Sequence, residues 1–230
     1  MSSQNSTTCN VDLVLCIDGT ASMVPIIENV KESARNFYGK IVEALSKKER
    51  KVDGLRIKVI VFRDYYCDGD RAMEISDFFE LPAQAEGFNR FVSSIEAVGG
   101  GDEPENGLEA IFLAMKSDWV KEGVKKRHII MVWTDASAHK LEEASGGSKP
   151  LNYPQDMPST LTELSDQWND SQSGMMNLAA KRLIVFAPDM YPWSTLGTEW
   201  DNALWEPSEA GRGLGDTDVK TVLDVLAGSI

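Results

Sequence analysis

Residues 11–17 read Val-Asp-Leu-Val-Leu-Cys-Ile, with no charge after Asp12. Such a run predicts a strand buried on both faces, in the middle of a parallel sheet. It stops at Asp18, and the hydroxyls of Thr20 and Ser22 follow at alternate positions before a helical pattern begins. Ile26, Ile27, Val30, Ala34, Phe37, Ile41 and Leu45 recur every three or four residues, the stripe of an amphipathic helix, and Pro25 suits its first turn. The charged residues 46–51 end that helix, Asp53-Gly54 reads as a turn, and residues 55–62 alternate and then become wholly apolar, a second strand running from an edge into the core.

Further along, Cys67-Asp-Gly-Asp70 carries turn chemistry, and residues 73–79 read as a short strand. The connection is too short for a parallel return, so the strand is expected to pair antiparallel. Phe88, Phe91, Val92 and Ile95 mark a short helix that delivers the chain to Gly99-Gly100-Gly101, where the backbone can take positive φ or approach a ligand closely. Pro104 as a first-turn residue, with Leu108, Ile111, Phe112 and Met115, predicts the next helix, and places Asp102 near its N-cap. The basic residues 121–127 lead into a strand at 128–134 that ends in Asp135. Residues 137–178 are less regular, with a short helix suggested by Leu161, Leu164 and Trp168. A strand at 181–188 follows, the region of Trp193, Trp200, Leu204 and Trp205 resists assignment, and residues 216–226 form a capped amphipathic stretch.

Two buried strands thus end in aspartate, Asp18 and Asp135. If they are neighbours, their carboxylates meet at the carboxyl edge of the sheet, where open α/β sheets bind ligands. Oxygen donors of this kind suit Mg²⁺, Mn²⁺ or Ca²⁺. The chain of 230 residues, 42% hydrophobic, can bury one core and is read as a single domain over 1–230, with a flexible stretch at 1–10 and the 137–178 segment as an insertion beside the site. Acidic residues outnumber basic ones 36 to 23, a net charge of −13, which argues against nucleic acid or an anionic membrane as partner. Cys9, Cys16 and Cys67 are odd in number and unclustered, which favours a reducing compartment. No apolar run approaches a membrane span and no signal pattern opens the chain, so a cytoplasmic location is expected.

These motifs resemble the von Willebrand factor A domain family. The family's metal-ion-dependent adhesion site uses an Asp-x-Ser-x-Ser loop after the first strand, a Thr or sometimes Asp in a second loop, and an Asp after the fourth strand. Here the matching stretches are Asp18-Gly-Thr20-Ala-Ser22, Gly100-Gly-Asp102-Glu-Pro-Glu105 and Thr134-Asp135-Ala136. Phe62-Arg-Asp-Tyr65, Cys67-Asp-Gly-Asp70 and Asp135-Ala-Ser-Ala-His139 are similar to versions found beside alpha-kinases and in bacterial signalling or conflict proteins. The resemblance implies a Rossmann-like, doubly wound α/β fold: a mostly parallel central sheet with one antiparallel edge strand and helices on both faces. It also implies a metal set of Asp18, Thr20, Ser22, Asp102 and Asp135 holding Mg²⁺, or alternatively Mn²⁺ or Ca²⁺.

On this reading the chain is a non-enzymatic module in a signalling or conflict complex, whose protein partner completes the metal shell with an acidic or neutral oxygen. A Mg²⁺-dependent phosphotransferase or hydrolase is the rival, weakened because Thr20 stands where an aspartyl-phosphate mechanism needs a second Asp. A scaffold with a vacant metal site is a third reading. Glu103 and Glu105 read as first-turn helix acids, Asp64 as a partner of Arg63 or of a backbone amide, His139 as structural or exposed, His128 as surface, and the late tryptophans as core or loop anchors.

Overall fold

The computed structural model describes residues 8–47, 51–101, 103–123, 125–146, 149–170 and 175–207. Asp102 and the amphipathic stretch at 216–226 lie outside them, as do the side chains of Phe37, Ile41 and Leu45. One mixed sheet organises the chain, with strands β1 (Thr8–Asp18), β2 (Lys51–Phe62), β3 (Met73–Ile75), β4 (Phe79–Leu81), β5 (Lys125–Trp133), β6 (Lys181–Ala187) and β7 (Ala203–Pro207). Their order is β3-β2-β1-β5-β6-β7, with β4 also on β2. All pairs are parallel except those of β3 and β4 with β2. The single expected edge strand is therefore two short ones, separated where the Ser76 hydroxyl accepts from the amide of Val59 and donates to the carbonyl of Asp77.

β1 is the central strand that its uncharged run predicts. Its odd positions, Leu13, Leu15 and Ile17, join the core under helices α1 (Ile27–Lys47) and α2 (Ala85–Ser94). Its even positions, Val14 and Cys16, join a second core under α3 (Gly107–Met115), α4 (Leu141–Gly146), α5 (Leu161–Asn169) and α6 (Trp193–Glu199). That division is the period of two of a strand, with both faces buried.

Several expectations are corrected. β1 begins at Thr8, so residues 8–10 belong to the sheet. Asp53-Gly54 does not turn the chain: Cys9 pairs with Val52 and Asn10 with Gly54, which leaves Asp53 as the extra residue of a bulge. His128 is 3% exposed, not on the surface. The 137–178 segment, read as an insertion beside the site, packs Leu141, Tyr153, Met157, Leu164 and Trp168 into the second core. The unassigned tryptophan region forms α6 and β7, with Trp193 and Trp200 buried. Among the described residues no helix is long and apolar enough to cross a membrane.

Candidate metal centre

β1 and β5 are neighbours and end together, Ile17 opposite Trp133, so Asp18 and Asp135 do come to one edge. The loop after Asp18 is sewn to the sheet and to the glycine loop: Gly19 N donates to Phe62 O (2.9 Å), Val98 N to Gly19 O (2.9 Å) and Ala21 N to Gly99 O (3.1 Å). Arg63, 1% exposed, fastens these loops from beneath. Its guanidinium donates to the carbonyls of Gly19, Val98, Glu96 and Arg71 and to the carboxylate of Glu74 at 2.6 Å. A planar, permanently charged group with five N–H donors suits this task, and lysine would not replace it. Glu74, rather than the adjacent Asp64, is its ion-pair partner.

The oxygens of the site form a continuous chain. Thr134 Oγ1 donates to Asp18 Oδ2 (2.6 Å), and Thr20 donates to Asp18 Oδ1 through Oγ1 (2.6 Å) and its amide (2.9 Å). Thr20 Oγ1 lies 2.9 Å from Ser22 Oγ, and Ser22 Oγ donates to Asp135 Oδ1 (2.9 Å). A hydroxyl has one hydrogen and an ionised carboxylate has none. With Thr20 and Ser22 both donating to carboxylates, no hydrogen remains for the contact between their own oxygens. The chain is short of one positive centre, either a proton on a carboxyl group or a cation. Asp18 is fully buried, and burial pushes its carboxyl up to about 6 against the lowering effect of the Thr134 and Thr20 donors. Asp135 is shifted upward too, by burial first and then by the charge of Glu103.

Glu105 is the residue that sequence reasoning misplaced. α3 begins at Gly107, so neither Pro104 nor Glu105 lies in its first turn. Instead Glu105 makes a parallel bridge with Ala138: its amide donates to Ser137 O, and its carbonyl accepts from His139 N, both at 3.0 Å. This anchors the glycine loop to the loop after β5. The Glu105 side chain is 5% exposed, its Oε2 is buried with no hydrogen-bond partner, and burial with the charges of Asp18, Asp64, Asp68 and Asp135 pushes its carboxyl up to about 10. Gly100, at φ 92°, is what lets it approach: a Cβ there would stand 2.6 Å from Glu105 Oε1 and 2.8 Å from Thr20 Cβ. Glu103 instead accepts from the amide of Ser137 (2.8 Å).

The residues therefore fit a hard divalent cation in kind and charge. Among the described residues, no three acids, histidines or cysteines group closely enough to hold a metal by themselves. A shell here would be mixed, with the hydroxyls of Thr20 and Ser22 beside the carboxylates of Asp18 and Asp135 and with Glu105 as the nearby acid, donor types that Mg²⁺ takes.

The flanks of the site are polar. Asp64 Oδ1 accepts from Tyr66 N (2.7 Å) and stands 3.4 Å from His139 Nε2. Burial alone would lower His139, but the carboxylates of Asp64, Glu109 and Glu143 outweigh it and hold the ring above its ordinary value. Glu109, fully buried, accepts from Tyr153 Oη (2.6 Å). A groove of about 640 Å³ lies at the opposite edge of the sheet, lined by residues such as Trp119, Lys126 and His128.

The von Willebrand factor A domain family matches residues 12–146, which include all three site loops, and the chain belongs to this family. An alpha-protein kinase of Dictyostelium discoideum, vwkA, is 32% identical over 132 residues, 57% of this chain and 19% of the kinase. The crystal structure of the pilus adhesin SpaC from Lactobacillus rhamnosus GG superposes with a TM-score of 0.55 at 14% identity, covering 98% of this chain and 31% of the adhesin. Its open conformation gives 0.50 at 13% identity, covering 98% and 30%. The chain spans less than a third of the length of each of these relatives. The adhesins establish the fold alone.

Proposed function

We propose that this chain is a divalent-cation-dependent protein-binding module. Thr20 and Ser22 would contact the ion, Asp18 and Asp135 would hold it directly or through water, and Glu105 would complete the shell from the middle loop. The family generally mediates protein–protein interaction, and the observation behind the reading is the charge deficit: two carboxylates and two facing hydroxyls share one fewer hydrogen than their three contacts require, with the unpartnered carboxylate oxygen of Glu105 buried nearby. Mg²⁺ held there would supply Lewis acidity toward an oxygen of a second protein. The chain's own residues orient that ion: Thr134 fixes Asp18, Gly100 admits Glu105, and Arg63 locks the loops that carry both.

In the middle loop Glu105 joins the expected donors as an acid that the bridge to Ala138 brings toward the oxygen chain, while Asp102 lies outside the described residues. The kinase activity of vwkA belongs to that whole protein. Kinship with it makes an intracellular signalling assembly the favoured setting. Capture of partners from a lysate on the immobilised chain, with Mg²⁺ and with a chelator, tests the reading. Proteins retained with Mg²⁺ and lost with chelator or with Asp18→Asn support it. Identical capture under all three conditions, or phosphate release from phosphorylated substrates by the chain alone, contradicts it.

A further inference from the structure

The face around the site is as acidic as the site itself. Asp68, Asp70, Asp135, Glu142 and Asp189 lie on the loops and on helix α4 that follow the carboxyl ends of β2, β5 and β6, and Glu103 lies on the glycine loop between α2 and α3. These loops are knitted into one surface: Gly100 N donates to Asp68 Oδ2 (2.9 Å), Ser137 N to Glu103 Oε1 (2.8 Å), Ala138 N to Tyr191 O (3.0 Å) and Asn152 Nδ2 to Gly69 O (2.6 Å). Among the described residues the exposed cations here are Arg71, Lys140 and Lys149. Arg71 pairs with Glu96 at 3.4 Å, Lys140 with Glu143 at 3.7 Å, and Lys149 lies 5.0 Å from the centre of the Tyr153 ring. Apolar groups stand among the acids: Val24 is 60% exposed, Tyr66 44%, and Leu151 fully.

We propose that the partner of this face is a basic, partly apolar protein segment, which gives the ion an uncharged oxygen and lays lysine or arginine side chains over the acidic rim. The inference rests on the metal-binding reading above. Three ionised carboxylates around a divalent ion leave the occupied site at about −1. An acidic partner would bring a further negative charge to it, inside a rim of the same sign. Complementary potential favours the opposite choice, and Tyr66 offers a face to an alkyl or guanidinium group. The buried, unpartnered Glu105 Oε2 beneath the rim is the independent sign that a cation belongs at its centre.

Selection of short random peptides on the whole chain in millimolar Mg²⁺ tests this, with affinities of the recovered peptides then measured by fluorescence polarisation. Peptides enriched in lysine and arginine are expected. They should bind roughly tenfold more weakly to Asp70→Lys/Asp189→Lys, more weakly at high salt, and more weakly with chelator. Neither substituted side chain belongs to the oxygen chain, and the melting curve of the variant checks its fold. Recovery of acidic peptides, or of none, overturns the inference, as does binding indifferent to both charge reversals. Mg²⁺ calorimetry on the same sample reports on the site separately. A chain that binds Mg²⁺ but selects acidic peptides overturns the partner assignment alone, whereas a chain that binds no Mg²⁺ overturns both.

Discussion

Asp12 and Asp18 lie on the same face of β1, toward its opposite ends, and both are buried. Asp12 receives a bidentate grip from Arg56 (2.8 and 2.6 Å) and the amide of Val120 (2.6 Å). Asp18 receives two hydroxyls and one amide, with no cation, and its charged neighbours are carboxylates. A buried carboxylate needs compensation for its lost hydration, and one end of the strand supplies that from within the chain. At the other end it has to come from outside. On the proposed reading, Asp12 is a structural acid and Asp18 a metal-holding one, and they differ in that respect and not in burial.

The largest expected effect of breaking the comparison is at the self-sufficient end. Asp12→Ala leaves Arg56 without its partner and should destabilise the domain by about 2–4 kcal/mol, tempered by the partial exposure of Arg56, with Mg²⁺ affinity unchanged. Urea denaturation read by tryptophan fluorescence measures the first quantity. A fall in Mg²⁺ affinity alongside it would show that the two ends are not independent.

At the other end, Mg²⁺ at ~100 times its dissociation constant should stabilise the chain by about 2.7 kcal/mol. For a domain of this size that is roughly 5–10 °C in melting temperature. Asp18→Asn should abolish the shift while leaving the metal-free protein as stable as wild type or more so, because the amide supplies hydrogen where the oxygen chain lacks it. A loss of metal-free stability comparable to that of Asp12→Ala would make Asp18 a structural residue.

The same contrast has a pH signature. Asp18 and Glu105 have folded-state values above their unfolded ones, so the folded state binds more protons and metal-free stability declines as pH rises. For Asp18 the decline runs between about 4 and about 6, and for Glu105 it continues toward about 10. The Asp18 contribution is about 3 kcal/mol across its window. Glu105→Gln should flatten the upper part of this profile and weaken Mg²⁺ binding. Thermal melts across pH, with and without metal, follow both effects, and a flat wild-type profile would remove the buried-carboxylate account.

How much of this was legible in the sequence follows from the range of the forces involved. The strand before Asp18, the helix behind Ser22 and the strand before Asp135 are set by local periodicity, so the two aspartates could be placed at one edge. The position of Glu105 depends on its bridge to Ala138, a distant contact that no local pattern records, and Pro104 followed by an acid imitates a helix start. Asp53-Gly54 imitates a turn in the same way, and only its pairing with Asn10 makes it a bulge. His128 reads as surface because it follows lysines and an arginine, yet it is stacked against Trp119, 5.1 Å between ring centres. The helix and strand around Trp193 and Trp205 are short, and the buried faces of α6 and β7 are set by α5 and β6 rather than by their own spacing.

The smallest expected effect sharpens the assignment within the middle loop. Asp102 lies outside the described residues, and if Glu105 is the middle-loop contact, Asp102→Thr should change Mg²⁺ affinity only by a long-range charge effect, roughly less than tenfold. A loss as large as that of Glu105→Gln would return Asp102 to the shell.

The central claim, that a divalent cation fills the charge deficit between Asp18, Thr20, Ser22, Glu105 and Asp135, is tested most directly by Mg²⁺ calorimetry in buffers of different ionisation enthalpy near pH 7. The metal-free site holds a proton there, with Glu105 pushed up to about 10. Saturable binding is expected, accompanied by release of about one proton per ion, with the release lost in Glu105→Gln and the binding lost in Asp18→Asn. An absence of heat at millimolar Mg²⁺, or binding that releases no proton and survives Asp18→Asn, would contradict it.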